Sequence, residues 1–302
     1  MSEPHVNISV VTYNRLPLTR LCLESLFSKT RGNYTVHIVD NNSDDGSRAY
    51  LEHVAAKQER AKVIFLPRNY GPAVAVNHAW AALNADYYVK LDNDIYIHDG
   101  NWLRKLIRLV ERNPEVGMAG YRLLDWKHTN TNLRLSSGDS FVSSEICNGG
   151  CALIPRKAFL ELGFWNEDYG RYGFTDNDYS VRARLANYMV GYLSMECAEM
   201  AHMGFVPNFK DKRHEQDKER QLRRTYQGSD LFVLNRLLYA EKIRPLRVER
   251  KYLPRDAGSG VAFALNPAYR SISELQAAFR DKINYCVKDN QILIDLSTLK
   301  NP

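Results

Sequence analysis

The chain has 302 residues, of which 44% are hydrophobic and 25% charged. These values sit near the averages of globular domains, so disorder, a collagen repeat and a disulfide scaffold are excluded, while one large α/β domain with an appendage is allowed. The net charge of +6 is concentrated in residues 209–255. That segment suits a diphosphate, an anionic acceptor, an acidic membrane surface or nucleic acid, although its alternating signs over 210–224 equally suit a solvated helix.

Through the first half, short apolar runs alternate with amphipathic stretches, the pattern of βαβ units around a mostly parallel sheet. Strands are expected at 8–12, 35–39, 63–66, 87–91 and 116–121. Helices are expected at 18–27, where Leu23, Leu26 and Phe27 share a face, at 72–83, which opens on a proline suited to a first turn, and at 102–110. Residues 1–121 thus read as a nucleotide-binding sheet with ligands at the carboxyl ends of its strands. Residues 122–148 are polar and irregular. A strand at 149–154, a helix at 178–185 and a strand at 189–193 follow. Beyond 204 the chain is charged until Leu231, Leu234 and Leu238 mark an amphipathic helix. Ile272, Leu275, Phe279 and Ile283 mark another, and 292–294 is strand-like. There is no internal repeat.

The pattern richest in chemistry is Leu91-Asp92-Asn93-Asp94 at the end of an apolar strand. A hard divalent cation bridging two phosphates takes one or two carboxylates and keeps its other positions for substrate oxygens or water. Alone, an Asp-x-Asp also fits a surface turn. Its surroundings give it direction. Ser9-Val10-Val11-Thr12-Tyr13-Asn14-Arg15, then Val39-Asp40-Asn41-Asn42-Ser43-Asp44-Asp45-Gly46-Ser47, then Asn69-Tyr70-Gly71 with Ala75 and Asn77, precede it in that order. Together the four motifs resemble glycosyltransferase family 2, over roughly residues 6–203.

The resemblance implies an α/β GT-A fold: a Rossmann-like, mostly parallel sheet with a mixed acceptor-side half and a C-terminal helical extension. The GT-A domain would cover 1–204, with a donor half over about 1–121 and an acceptor half over about 122–204. A basic lid and helical extension would fill 205–302. Carried over residue by residue, the donor contacts are Thr12, Tyr13, Asn14, Arg15, Asp40, Asn41, Arg68, Asn69, Gly71, Asn77, Asp92 and Asn93. Asp94 would coordinate Mn2+ or Mg2+, with Asp92 on ribose or metal-bound water and His202 as a further ligand. Asp40 and Asn41 also read as an Asx-turn after a strand.

Gly170-Arg171-Tyr172-Gly173-Phe174-Thr175-Asp176-Asn177-Asp178 resembles the family's acceptor motif. Thr175 departs from the Glu usual there, and Asp176 occupies the position of the catalytic base, with Asp178 as the alternative if the motif is shifted. Thr175 or Asp176 also suits a helix N-cap. The function implied is inverting transfer from a nucleotide diphosphate sugar, UDP-linked in preference to dTDP-linked, to a hydroxyl of a glycan, a lipid-linked glycan or another acceptor. Two rivals stand beside it: a sugar-phosphate nucleotidyltransferase, which wants a glycine-rich loop where this chain has Asn14-Arg15-Leu16-Pro17, and a non-catalytic module binding a nucleotide or nucleic acid.

Cys22, Cys147, Cys151, Cys197 and Cys286 include no CxxC pair, as expected for reduced thiols. A zinc site from Cys147, Cys151, Cys197 and His202 matches no common spacing. The first residues lack the basic and apolar regions of a secretion signal, and no apolar run approaches the ~20 residues that span a bilayer. A cytoplasmic location is therefore expected, with peripheral membrane contact through 209–255.

Overall fold

The computed structural model describes residues 3–123, 129–148, 150–171, 173–204, 216, 231–256, 261–270, 274–275, 285–288 and 291–294. The part expected as the donor half runs β1 (Val6–Thr12), α1 (Leu16–Lys29), β2 (Tyr34–Asp40), α2 (Ser47–Lys57), β3 (Ala61–Phe65), α3 (Pro72–Ala81), β4 (Tyr87–Asp92), β5 (Ile95–Ile97), α4 (Trp102–Arg112) and β6 (Val116–Gly120). The part expected as the acceptor half adds β7 (Asn130–Arg134), β8 (Ser140–Ser144), β9 (Cys151–Pro155), α5 (Arg156–Leu162), a 3-10 turn (Glu167–Tyr169), α6 (Thr175–Leu185), β10 (Met189–Tyr192) and β11 (Met200–His202).

Nine of these strands form one sheet in the order β3-β2-β1-β4-β9-β6-β10-β8-β7. β1 pairs in parallel with β2 and β4, and β2 with β3. β9 enters antiparallel between β4 and β6, and β8 runs antiparallel to β10 and β7. The sheet is therefore mostly parallel, with its mixed part on the acceptor side. Helices cover both faces, which lets the central strands be apolar throughout. One face packs Leu23 and Leu26 of α1, Leu51 of α2 and Trp102 and Leu106 of α4. The other packs Val76 and Trp80 of α3, Ala158 and Leu162 of α5 and Tyr179 of α6.

The expected strands and helices of the first 121 residues all form, with shifted ends. Helix α2 is an addition. Its buried apolar contribution is Leu51 and Val54 alone, a stripe too narrow to show as periodicity. The hairpin β7–β8 replaces the expected irregular stretch. It lies at the sheet edge with β7 largely exposed, so its polar residues satisfy the strand pattern without an apolar run.

In the expected helical extension, a helix over 231–240 forms and buries Leu234 and Leu238. Two antiparallel hairpins also appear, β12 (Tyr252–Asp256) with β13 (Val261–Leu265) and β14 (Tyr285–Lys288) with β15 (Gln291–Ile294). The strand expected at 292–294 falls in β15. Most of the helix expected over 272–283, and most of the basic segment 209–230, lie outside the described residues. Among the described residues no helix is long and apolar enough to cross a membrane.

Candidate active site

Parallel strands β1, β2 and β4 end side by side, with Thr12 in register with Asp40 and Val11 with Asp92. The loops leaving them are braced by short polar side chains. Thr12 Oγ1 bonds Thr19 Oγ1 at 2.8 Å and donates to the Asn14 carbonyl at 3.1 Å, and Asn93 Nδ2 donates to Thr19 Oγ1 at 2.8 Å. Asn14 N donates to Ser43 Oγ and Asp44 N to Asn14 Oδ1, both at 2.8 Å. These bonds hold Asn14 and Arg15 in left-handed conformation, with φ of 58° and 65°. Strain of that kind persists only where its surroundings over-determine it.

Asp40 is 1% exposed and accepts from the Ser43 amide at 3.1 Å and from the Ser43 hydroxyl. The bond reaches three residues on, one further than the expected Asx-turn, and closes the loop after β2. Burial pushes the Asp40 carboxyl upward, and the Ser43 bonds pull it back. Asn41 reaches the other loop. Its Nδ2 donates to the Gly71 carbonyl at 3.2 Å and its Oδ1 accepts from Tyr70 N at 3.2 Å. Gly71 has φ of 91°, and a Cβ there would stand 2.2 Å from the Gly170 carbonyl oxygen. The Asn69-Tyr70-Gly71 loop thereby abuts the acceptor loop, and only glycine permits it.

Asn77, expected among the donor contacts, belongs elsewhere. It is fully buried, donating to the Trp165 carbonyl at 2.8 Å and to Glu167 Oε1 at 2.7 Å and accepting from Trp165 N. With both ends of its amide committed, it braces α3 against the 3-10 turn. Arg68 is exposed and lies over the Tyr70 ring at 4.4 Å, beside Phe263 of β13 at 4.8 Å from that ring.

Antiparallel pairing of β11 with β5 sets His202 opposite Ile95, which carries the imidazole to Asp94. His202 Nε2 is 3.5 Å from Asp94 Oδ1, and Arg15 Nη1 is 3.0 Å from Asp94 Oδ2. Asp94 Oδ1 is buried without a hydrogen-bond partner among the described residues. A Cβ at Gly204 would meet Asp94 Oδ2 at 2.6 Å and His202 Cε1 at 2.8 Å, so this residue too leaves room for the pair. Asp92 is drawn aside, its Oδ1 held by Lys90 Nζ at 2.8 Å. Among the described residues no three His, Cys, Asp or Glu side chains gather closely enough to hold a metal. The expected ligand set is thus present as a pair, with Asp92 turned to a lysine. A hard carboxylate oxygen without a partner, facing an imidazole nitrogen, suits a divalent cation. Among the described residues the cysteines form no such group, and burial pushes the Cys147 and Cys151 thiols above the usual range, which disfavours the thiolate.

From the other half, α6 starts at Thr175 with Phe174 at the N-cap, so neither Thr175 nor Asp176 stands at the cap. Asp176 lies in the first turn, where the helix field favours an anion, and its Oδ1 is 3.7 Å from Lys90 Nζ. Asp178 is different. It is fully buried in an ion pair with Arg182 at 2.7 Å and accepts from Asn166, Tyr169 and Tyr239. Of the two acceptor-motif aspartates, Asp176 faces the crevice.

A family model described as Glycosyl transferase family 2 matches residues 8–163, just over half of the chain. The chain belongs to this family. Among curated relatives it is 28% identical over 122 residues to a teichuronic acid biosynthesis glycosyltransferase of Bacillus subtilis and 25% identical over 125 residues to an uncharacterized glycosyltransferase of Haemophilus influenzae. These alignments cover 40% and 41% of the chain and 48% and 50% of the relatives, so it spans about half the length of the curated relatives it matches. In solved structures, a mannosyltransferase of Pyrobaculum calidifontis with GDP-Man and Mn2+ superposes with TM-score 0.55 at 16% identity, over 80% of this chain and 65% of that one. S. aureus TarS with UDP-GlcNAc gives 0.53 at 18%, over 80% and 69%. The family member accordingly has the GT-A fold.

Lys90 is the site residue that motif reading passes over. Its signal was the pleat: a lysine inside an apolar strand, two residues before Asp92, shares a face with that carboxylate.

Proposed function

We propose that this protein transfers a sugar from a nucleotide diphosphate donor to a hydroxyl acceptor with inversion at the anomeric carbon. The observation that carries the reading is that Asp92, at the end of a donor-half strand, and Asp176, at the start of an acceptor-half helix, converge on one ammonium. A donor-side and an acceptor-side carboxylate thereby face one crevice. In the displacement, the acceptor oxygen bonds the anomeric carbon as the bond to the diphosphate oxygen breaks, and Asp176 takes the hydroxyl proton. Tyr13, Asn14, Arg15, Arg68 and Asn69 line the donor side, with Thr12, Asp40, Asn41 and Asn93 fixing the loops behind them. A divalent cation, Mn2+ or Mg2+, held by Asp94 and His202 with Asp92 beside it, would supply Lewis-acid stabilisation of the leaving diphosphate. The GDP-Man and UDP-GlcNAc in the structural neighbours support a diphosphate-linked sugar as donor, with UDP favoured. The relative named for teichuronic acid biosynthesis supports a glycan acceptor. The basic segment 209–255 is proposed as a lid over the diphosphate.

The test is a thermal-shift screen of nucleotide sugars with and without Mn2+, followed by turnover and NMR of the fresh product. Donor at 100 times its Kd should add about 2.7 kcal/mol of apparent stability. Release of a nucleoside diphosphate separates this reading from nucleotidyl transfer. Retention at the anomeric carbon would sink direct displacement, and full activity of Asp94→Ala would sink the cation.

A further inference from the structure

Lys90 is 8% exposed and lies on β4 between Ser9 of β1 and Ala152 of β9. A buried ammonium persists only with opposite charge at hand. Here the charge comes from both halves of the molecule: Asp92 Oδ1 at 2.8 Å and Asp176 Oδ1 at 3.7 Å. The ring of Trp165, beneath the acceptor loop, lies 5.8 Å from the same nitrogen. Three carboxylates, Asp92, Asp94 and Asp176, press on this crevice. Arg15 pairs with Asp94, and Lys90 pairs with both Asp92 and Asp176.

We propose that Lys90 is a positioning residue that ties the donor-side carboxylate Asp92 to the acceptor-side base Asp176, fixing the distance across which the sugar is passed. The inference rests on the glycosyltransferase reading above. Without this cation the two carboxylates repel, and the first turn of α6 loses a tie to the strand that carries Asp92. A misplacement of about 1 Å at a reacting group can cost a factor of 10² in rate. The predicted signature is a loss in the chemical step, with donor binding largely kept because the loops from β1 and β2 are braced independently of Lys90.

The experiment compares the full-length protein with Lys90→Met and Lys90→Arg, alone and combined with Asp176→Asn. Turnover, donor Kd measured calorimetrically with UDP-sugar and Mn2+, and thermal midpoint are read for each. Lys90→Met should lower kcat roughly 10–100-fold with donor Kd changed less than about fivefold, and Lys90→Arg should recover part of the rate. On the Asp176→Asn background Lys90→Met should cost no more than about twofold, since it acts through a group already removed. A normal kcat in Lys90→Met, or its full loss repeated on the Asp176→Asn background, overturns the tie. If Lys90→Met does not fold, Lys90→Gln, which also removes the charge, is carried through the same cycle with the same criteria. Amide exchange in the first turn of α6 needs no substrate. It should quicken about tenfold in the variant that folds; unchanged exchange refutes the tie even if no donor is found, whereas quickened exchange without any turnover refutes the transferase reading alone.

Discussion

The donor and acceptor sides of the crevice are held by different chemistry. On the donor side, neutral groups within a few residues of strand ends (Thr12, Asn14, Asn41, Ser43, Asn93) bond backbone and one another. On the acceptor side, buried charges do the bracing. Arg182, fully buried, pairs with Asp178 and donates to the carbonyls of Leu162, Phe164 and Leu246. Arg244 pairs with Asp168 at 3.0 Å and donates to Asn235 and Tyr269. Glu167 accepts from Asn77 and from the amides of Lys251 and Tyr252. The loops after β1 and β2 are thus braced mainly by short polar bonds among themselves, while the helix bearing Asp176 leans on a segment from the far end of the chain. Damage to the first should show in ligand binding, and damage to the second in stability.

The sharpest probe of that contrast is the pair of aspartates in one helical turn. Asp176→Asn should lower transfer by a factor of roughly 10²–10⁴, with donor affinity and melting temperature nearly unchanged. Steady-state kinetics beside calorimetry checks this, and normal kcat would remove Asp176 as base. Asp178→Asn strips the partner from a buried arginine and should cost about 3–5 kcal/mol of stability in urea unfolding, while the protein that remains folded turns over near the normal rate. A reversal of the two outcomes would exchange their roles.

Glu167 tests the junction with the C-terminal segment by pH. Burial raises its carboxyl from 4.5 to about 7, against bonds from Asn77, Tyr252 and Lys251. The folded protein therefore holds a proton that the unfolded chain has lost between those values. Its contribution to stability is complete below 4.5 and disappears as pH rises through about 7, a decline of up to about 3 kcal/mol. Glu167→Gln should flatten that part of the profile; an unaltered slope in chemical unfolding at pH 5 to 8 would deny the group this role. The smallest effect is expected on the donor side. Asn41→Ala leaves the Gly71 carbonyl and Tyr70 amide without their bridge, at a cost of about 1–3 kcal/mol, and should weaken donor binding more than it lowers kcat. A loss confined to kcat would mean that the loop does not serve the donor.

Much of the donor side was legible because its signals are local. An apolar run ending in Asp40 or Asp92 states both the strand and the point where it meets the crevice, and Gly71 announces a turn that a side chain would block. Asn77 misled for a physical reason: the turn of helix that follows the loop looks the same in sequence whether its amide faces a ligand or, as here, Trp165 and Glu167. The motif favoured Asp176 as base and kept Asp178 as the alternative, because two carboxylates in one first turn differ in sequence only by their place in the motif.

The chain's own text determined a mostly parallel sheet, the order of its strands' loops and the side chains they present, since alternation, helical periodicity and turn chemistry act over a few residues. Tertiary structure alone decided which carboxylates share a cation, which of them is buried against Arg182, and that a helix over 231–240 packs on Asp178 while the hairpin β12–β13 lays Phe263 against Tyr70. Apart from Asp178 and Arg182, one helical turn apart, these are matters of polar groups meeting across 61 to 86 positions of sequence, as the Tyr239 hydroxyl meets Asp178 and the Lys90 ammonium meets Asp176. Such pairs leave no periodic trace, because a buried lysine or arginine is tolerated only where the fold delivers its partner.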